Sequence, residues 1–253
     1  MGKIIAVSNL KGGVAKTTTA INLAHGLTLR GKSVLIVDLD PQAHVCAALG
    51  LPPESGVYYL LTMGFKPHEN EFVKQYVRQA RPNLWLIPGD QGTSNAQLLL
   101  DGRKAPYNAI REALGRFKSG PDYIILDTAP SVGGILERAV WAADLVITPT
   151  SCEYLSTDSV KQMQALMEKL EREEHWRGRL LGVLPTMYHD QIKEHRAALE
   201  DLRVGFGDKV LAPIHRAAVL AECPGENKTI FEKEPGSRAA KEYAALVKAV
   251  LRA

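Results

Sequence analysis

Six short runs of apolar and β-branched residues recur along the chain: "KIIAVS", "SVLIVD", "LWLIPG", "DYIILD", "DLVITP" and "LLGVLP". Helical patterns lie between them, and the runs themselves read as strands. Most are apolar on both alternating faces, as strands are when helices cover the two sides of a parallel sheet. The pattern predicts an α/β fold, a doubly wound, mainly parallel sheet flanked by helices. A long helix is expected over Thr157 to His175, where the charge run "KLEREEH" reads as a solvated face. A last helix is expected over Ser237 to Arg252, with Tyr243, Leu246, Val247, Val250 and Leu251 forming a stripe that docks on the sheet. Gly31 should close the first helix by taking positive φ. Residues Leu51 to Glu71 carry the weakest pattern. No Gly/Ser- or Pro-rich linker and no internal repeat divides the sequence, so residues 1–253 are expected to form one domain.

Composition narrows the picture only a little. A net charge of +3 permits contact with nucleic acid or anionic lipid without requiring either. Cys46, Cys152 and Cys223 are far apart and form no CxxC pair, which argues against a metal site or disulfide framework and fits a reducing cytosol. No run reaches the roughly 18 apolar residues of a membrane span, and "MGKIIAVSN" is too short for a signal peptide. A cytoplasmic protein is expected.

Chemistry enters with "NLKGGVAKTTTAINLA", which follows the first strand and opens a helix. Strand, GxxxxGK[ST], helix is the phosphate-binding loop. Two positions depart from it: Ala15 stands where the glycine before Lys16 is expected, and Leu10 or Lys11 replaces the first glycine. The physics tolerates both changes. Backbone N–H groups of Gly12, Gly13, Val14, Ala15, Lys16, Thr17 and Thr18 can converge on phosphate oxygens at the positive end of the helix. Lys16 would reach the β- and γ-phosphates, and the Thr17 hydroxyl would ligate magnesium. A dinucleotide site is a poor alternative. Asp38 lies at about the ribose-binding distance, but the loop lacks G-x-G-x-x-G.

Carboxylates at two strand ends complete the expected site. "LIVDLDPQ" places Asp38 at the end of one strand and Asp40 two residues beyond, both facing the phosphates, with Asp38 a candidate metal ligand. "YIILDTAPS" ends another strand in Asp127, a Walker B position for holding magnesium. Thr128 follows it, so the glutamate base of fast ATPases is missing. Water would have to be oriented by Asp40 or by backbone, which predicts slow turnover. A rate on the order of one per minute corresponds to a barrier of ~20 kcal/mol.

Together "KGGVAKTTTAINLA", "VLIVDLDPQ", "YIILDTAPS", "AADLVITPTSCEY" and the tail "IHRAAVLAECPGENKTIFEKEPGSRAAKEYAAL" resemble the ParA/Soj/MinD group of deviant Walker A ATPases over nearly the whole chain. The absence of a helix-turn-helix before Met1 suggests the short form of that family. The resemblance implies that Lys11 is the signature lysine, reaching across an ATP-bound homodimer to the partner's phosphates. With Lys16 and Asp40 it would make up the catalytic set. It further implies an ATP- and magnesium-dependent switch that binds a surface when dimeric and is released by hydrolysis. "LPTMYHD" and "APIHR" look like the segments that wall the adenine, which points to Met187 and Pro213.

Within that group, ParA-like members bind nucleoid DNA without sequence preference and position a cargo with a ParB-like or small adaptor protein. MinD-like members bind membrane through a C-terminal amphipathic helix. The tail of this chain has no Phe or Trp to sink into lipid in its last helix, which favours DNA and a nucleoid-associated location over membrane. Arg203, Arg216, Lys228, Arg238 and Lys241 are the candidate DNA contacts, taken from the region that faces DNA in the family. The nitrogenase iron protein, which needs cluster cysteines, and metabolic enzymes such as dethiobiotin synthetase fit less well.

Overall fold

The computed structural model describes residues 2–62, 69–117, 120–130, 134–152 and 156–253. The strands are β1 (Lys3–Val7), β2 (Val34–Leu39), β3 (Arg78–Arg81), β4 (Leu84–Ile87), β5 (Tyr123–Thr128), β6 (Leu145–Ser151) and β7 (Arg179–Thr186). The helices are α1 (Lys16–Thr28), α2 (His44–Leu49), α3 (Gly56–Thr62), α4 (Glu69–Tyr76), α5 (Gly92–Gly102), α6 (Ala109–Gly115), α7 (Gly134–Ala142), α8 (Ser156–Glu174), α9 (Lys193–Phe206), α10 (Ala218–Glu222), α11 (Ile230–Lys233) and α12 (Arg238–Arg252).

Among the described residues the strands form one sheet in the order β3-β4-β2-β5-β1-β6-β7, parallel except for β3. Alternation along β1 explains the two layers. Ile5 and Val7 join a core with Ala20, Leu23, Ala24 and Leu27 of α1, whereas Ile4 and Ala6 join one with Leu136, Ala139 and Val140 of α7. The expected doubly wound α/β fold is therefore the observed one. Strand β1 lies between β5 and β6, so the chain leaving it enters the crevice where an open α/β sheet binds ligands. Register aligns the neighbouring strand ends there: Asp127 stands beside both Val7 and Asp38, and Ser151 beside Thr186.

Three details differ from the pattern-based expectation. Strand β3, "RQAR", has no apolar alternation because it is an antiparallel edge strand; Arg78 pairs with Glu54 and Arg81 with Glu232. The weakly patterned stretch 51–71 contains α3 and the start of α4. The long helix begins at Ser156 and ends at Glu174, one residue earlier than expected at each end. The last helix, capped by the Ser237 hydroxyl accepting from the Ala240 N–H, packs on α1 and joins the core layer that α1 shares with Ile5 and Val7 of β1 and Leu145 and Ile147 of β6. Tyr243, Leu246, Val247 and Val250 are all buried there, each aliphatic one contributing about 1.5–3 kcal/mol of apolar burial. Gly31 does take positive φ after α1, at 76°.

Candidate active site

Residues Ser8 to Ala15 connect β1 to α1, and the backbone turns there through two left-handed residues. Gly13 has φ 70°, and Ala15 has φ 63°, an unusual conformation for a residue with a Cβ. Ala15 is also the residue that precedes α1, and no side chain caps this helix. Its first N–H groups thus stay available to an outside acceptor, as an anion cradle needs. Polar groups from several strand ends fasten the loop from behind. Ser8 N–H donates to Ile147 O (3.0 Å), the Thr128 hydroxyl to Val7 O (3.2 Å), and the Thr186 hydroxyl to Val14 O (3.2 Å). Asn9 accepts from the Lys11 N–H (3.0 Å) and donates to Pro149 O (2.7 Å).

The two lysines take different places. Lys16 is buried, and its ammonium donates to the Lys11 carbonyl (2.9 Å). Burial lowers its pKa, against the opposing pull of Asp127 and Asp40. Lys11 is half-buried on the rim, with Nζ 3.4 Å from the Ser151 hydroxyl at the end of β6. Gly12 and Gly13 are exposed, while Val14 points into the interior.

The carboxylates gather beside this loop. Asp127 is fully buried, and its Oδ2 accepts from the Thr17 hydroxyl at 2.7 Å. Its Oδ1 is buried with no hydrogen-bond partner among the described residues. Burial pushes its pKa up to about 7, and Asp40 adds to the rise, while the Thr17 hydrogen bond and Lys16 oppose it. One carboxylate oxygen without a partner, a threonine hydroxyl and a second carboxylate nearby form a hard oxygen donor set that fits magnesium. Asp38, beside Asp127 in the sheet, turns back on its own chain: Oδ1 accepts from the Asp40 N–H (3.3 Å) and Oδ2 from the Val45 N–H (3.2 Å). Burial, then the Asp127 charge, raises its pKa well above the usual carboxylate range. Asp40 accepts from the Gln42 N–H (2.9 Å) and lines a cavity of about 300 Å³ with Gln42, Thr93, Ser94 and Gln97.

The segments that carry Met187 and Pro213 run side by side. Tyr188 N–H donates to Ile214 O (3.1 Å) and Ile214 N–H to Pro185 O (2.8 Å), which sets the stretch after β7 alongside the one carrying Pro213. All five candidate basic residues are exposed or half-buried, but three are engaged by carboxylates. Arg203 pairs with Glu200, Lys228 with Glu226, and Arg238 with Asp190 and Glu242. Arg216 and Lys241 have no carboxylate partner among the described residues.

Motif reasoning passed over Asn9, Ser151, Ser159 and Thr186. Their signal is weak but real: each is a polar residue at a strand end or helix start that the fold buries. No helix among the described residues is long and apolar enough to cross a membrane.

Comparison with known proteins agrees with this geometry. An AAA domain model matches residues 2–177. The chain is 38% identical over 98% of its length to the chromosome-partitioning ATPase Soj of Thermus thermophilus, covering 94% of that protein. Among solved structures it resembles cobyrinic acid a,c-diamide synthase from Mycobacterium smegmatis with bound ADP and magnesium, at 30% identity and TM-score 0.82, covering 100% of this chain and 95% of that one. It also shares the fold of apo McdA from Cyanothece, at 23% identity and TM-score 0.88, covering 99% and 100%. A strand-end loop with two lysines, two strand-end aspartates and a near full-length match to Soj are the features of one family, and the chain belongs to the ParA/Soj chromosome-partitioning ATPases.

Proposed function

We propose that residues 1–253 act as one ATP-driven switch: two copies close over two ATP molecules, the dimer binds DNA without sequence preference, and hydrolysis releases it. The observation that carries this reading is the separation of the two lysines. Lys16 turns to the inside of the loop, onto the Lys11 carbonyl, and Lys11 stands on the rim beside Ser151, from where it would meet a phosphate presented by a second copy. Thr17 and Asp127 would hold the magnesium, with Asp38 behind them in the sheet. Bound there, magnesium would draw charge from the β- and γ-phosphates. Backbone N–H groups from Gly12 to Thr18 cradle the phosphates, and Met187 with Pro213 walls the base.

Slow hydrolysis follows from the residue after Asp127. Thr128 is buried, with its hydroxyl committed to Val7 O and Ser8 Oγ, so it offers no general base. Asp40 is the carboxylate left to orient a water. The Asp40→Ala variant should therefore bind ATP and dimerise yet lose most of its turnover, measured as phosphate release; rapid hydrolysis by it would place the water elsewhere.

DNA is favoured over lipid because the apolar stripe of α12 is spent on α1. Arg216 and Lys241 are the strongest candidate phosphate contacts, while Arg203, Lys228 and Arg238 would have to exchange exposed carboxylate partners for phosphate, at little cost. Pairing two copies doubles the contacts and gives an affinity that a monomer lacks. A ParB-like or small adaptor protein would then stimulate hydrolysis and couple it to a cargo, in the cytoplasm and on the nucleoid. Retention on unrelated DNA, compared with ATP, ADP and no nucleotide over a salt series, tests the switch; equal retention in all three states refutes it. Replacing Arg216 and Lys241 together by Ala should flatten the plot of log affinity against log salt by about 0.9 per lost contact. An unchanged slope would move the interface away from this face.

A further inference from the structure

Asn9, three residues ahead of Gly12, bonds the backbone of one lysine, which in turn receives the ammonium of the other. Asn9 is fully buried, and its amide joins three elements. Nδ2 donates to Pro149 O of β6 (2.7 Å) and lies 3.3 Å from the Ser159 hydroxyl of α8, while Oδ1 accepts from the Lys11 N–H (3.0 Å). The carbonyl of the same Lys11 receives the Lys16 ammonium (2.9 Å). Both polar groups of the Lys11 backbone are thus taken, one by Asn9 and the other by Lys16.

We propose that Asn9 is the positioning residue of the phosphate loop: by clamping the Lys11 backbone to β6 and α8, it aims the Lys11 carbonyl at Lys16 and sends the Lys11 side chain out on the rim. Few side chains could replace it. The position needs an acceptor for the Lys11 N–H and, on the same short stem, a donor for the Pro149 carbonyl. Aspartate keeps the acceptor but sets a carboxylate oxygen against that carbonyl. Alanine leaves the half-buried Lys11 N–H and the buried Pro149 C=O without these partners. Ser159 adds a longer, secondary contact, so its hydroxyl refines the clamp rather than making it.

This inference rests on the reading of the loop as an ATP site, and its test separates the two. ATP affinity with magnesium is measured by calorimetry for the wild type and for Asn9→Asp, Asn9→Ala and Ser159→Ala, with urea unfolding of each variant alongside. Both Asn9 variants should bind ATP at least about tenfold more weakly while folded, and Ser159→Ala should change affinity by less than about threefold. At saturating ATP, the Asn9 variants should also fail to dimerise in sedimentation velocity. A merely structural role would lower the unfolding midpoint and leave ATP affinity alone. If Asn9→Ala does not fold, Asn9→Asp, which keeps the shape and the Lys11 hydrogen bond, decides the matter. Wild-type affinity in a folded Asn9→Asp protein overturns the inference. A wild type that binds ATP but never pairs overturns the dimer reading and leaves the affinity comparison in force.

Discussion

Replacing Asp127 by asparagine is expected to stabilise the nucleotide-free protein and to abolish its response to magnesium. The wild-type carboxyl is fully buried, holds one oxygen without a partner among the described residues, and has its pKa pushed by burial from the ordinary 3.8 up to about 7. A native-state pKa above the unfolded one means that the folded protein binds more protons between about pH 4 and 7, so stability falls as pH rises through that window. Above it, the native state carries the full cost of a buried charge, on the order of 2–4 kcal/mol. Asparagine removes that charge and keeps an acceptor for the Thr17 hydroxyl, at about 1 kcal/mol for an amide donor left without a partner. The net gain should be about 1–3 kcal/mol at pH 8 and should vanish near pH 4. Thermal melts across pH, without nucleotide, would show it as a rise of roughly 2–4 °C per kcal/mol. The loss is functional: magnesium together with ATP should raise the melting temperature of the wild type and leave that of the variant unmoved. A variant less stable than the wild type at pH 8 would show that the charge is already compensated within the chain. Raising stability by removing a functional charge is a familiar exchange at active sites.

The Lys11→Ala variant should bind ATP nearly as the wild type does and fail to pair. Its backbone stays in place for Asn9 and Lys16, because both of those hydrogen bonds use main-chain atoms of residue 11. What is lost is one ammonium per subunit. In a symmetric dimer each interface contact occurs twice. A hydrogen bond to a charged group is worth about 1.5–3 kcal/mol, so two of them amount to about 3–6 kcal/mol, or roughly 10²- to 10⁴-fold in the dimerisation constant. Sedimentation equilibrium with ATP and magnesium measures that directly. An ATP dimer of undiminished strength would strip the rim lysine of its bridging role, and with it would go the account of how nucleotide creates a DNA-binding surface.

Much of this molecule was legible from its residues. Six of the seven described strands were marked by apolar β-branched runs, because a strand buried on both faces has little room for polar side chains. The seventh, "RQAR", was hidden because an edge strand keeps its arginines for ion pairs and shows no alternation. Likewise α3 and α4 were missed, since short helices contribute too few turns for periodicity to rise above the background. The phosphate loop was readable despite Ala15. Residue types at fixed spacing determine where N–H groups and a lysine fall, and Ala15 tolerates the left-handed turn that glycine would take more cheaply.

The sequence by itself determined the layered α/β architecture, the loop with its two lysines and the carboxylates at strand ends, because local periodicity and short-range spacing are enough to specify each. Only the tertiary structure decided which groups meet. Asn9 reaches Pro149 and Ser159 across 140 and 150 residues, Thr17 reaches Asp127 across 110, and Thr186 reaches Val14 across 172. It also decided which charges are paired, setting Arg203, Lys228 and Arg238 against carboxylates while leaving Arg216 and Lys241 outside those pairs. The physical reason is the same in every case: strand order and register bring chain segments remote in sequence to one edge of the sheet, and nothing in the local pattern encodes those distances.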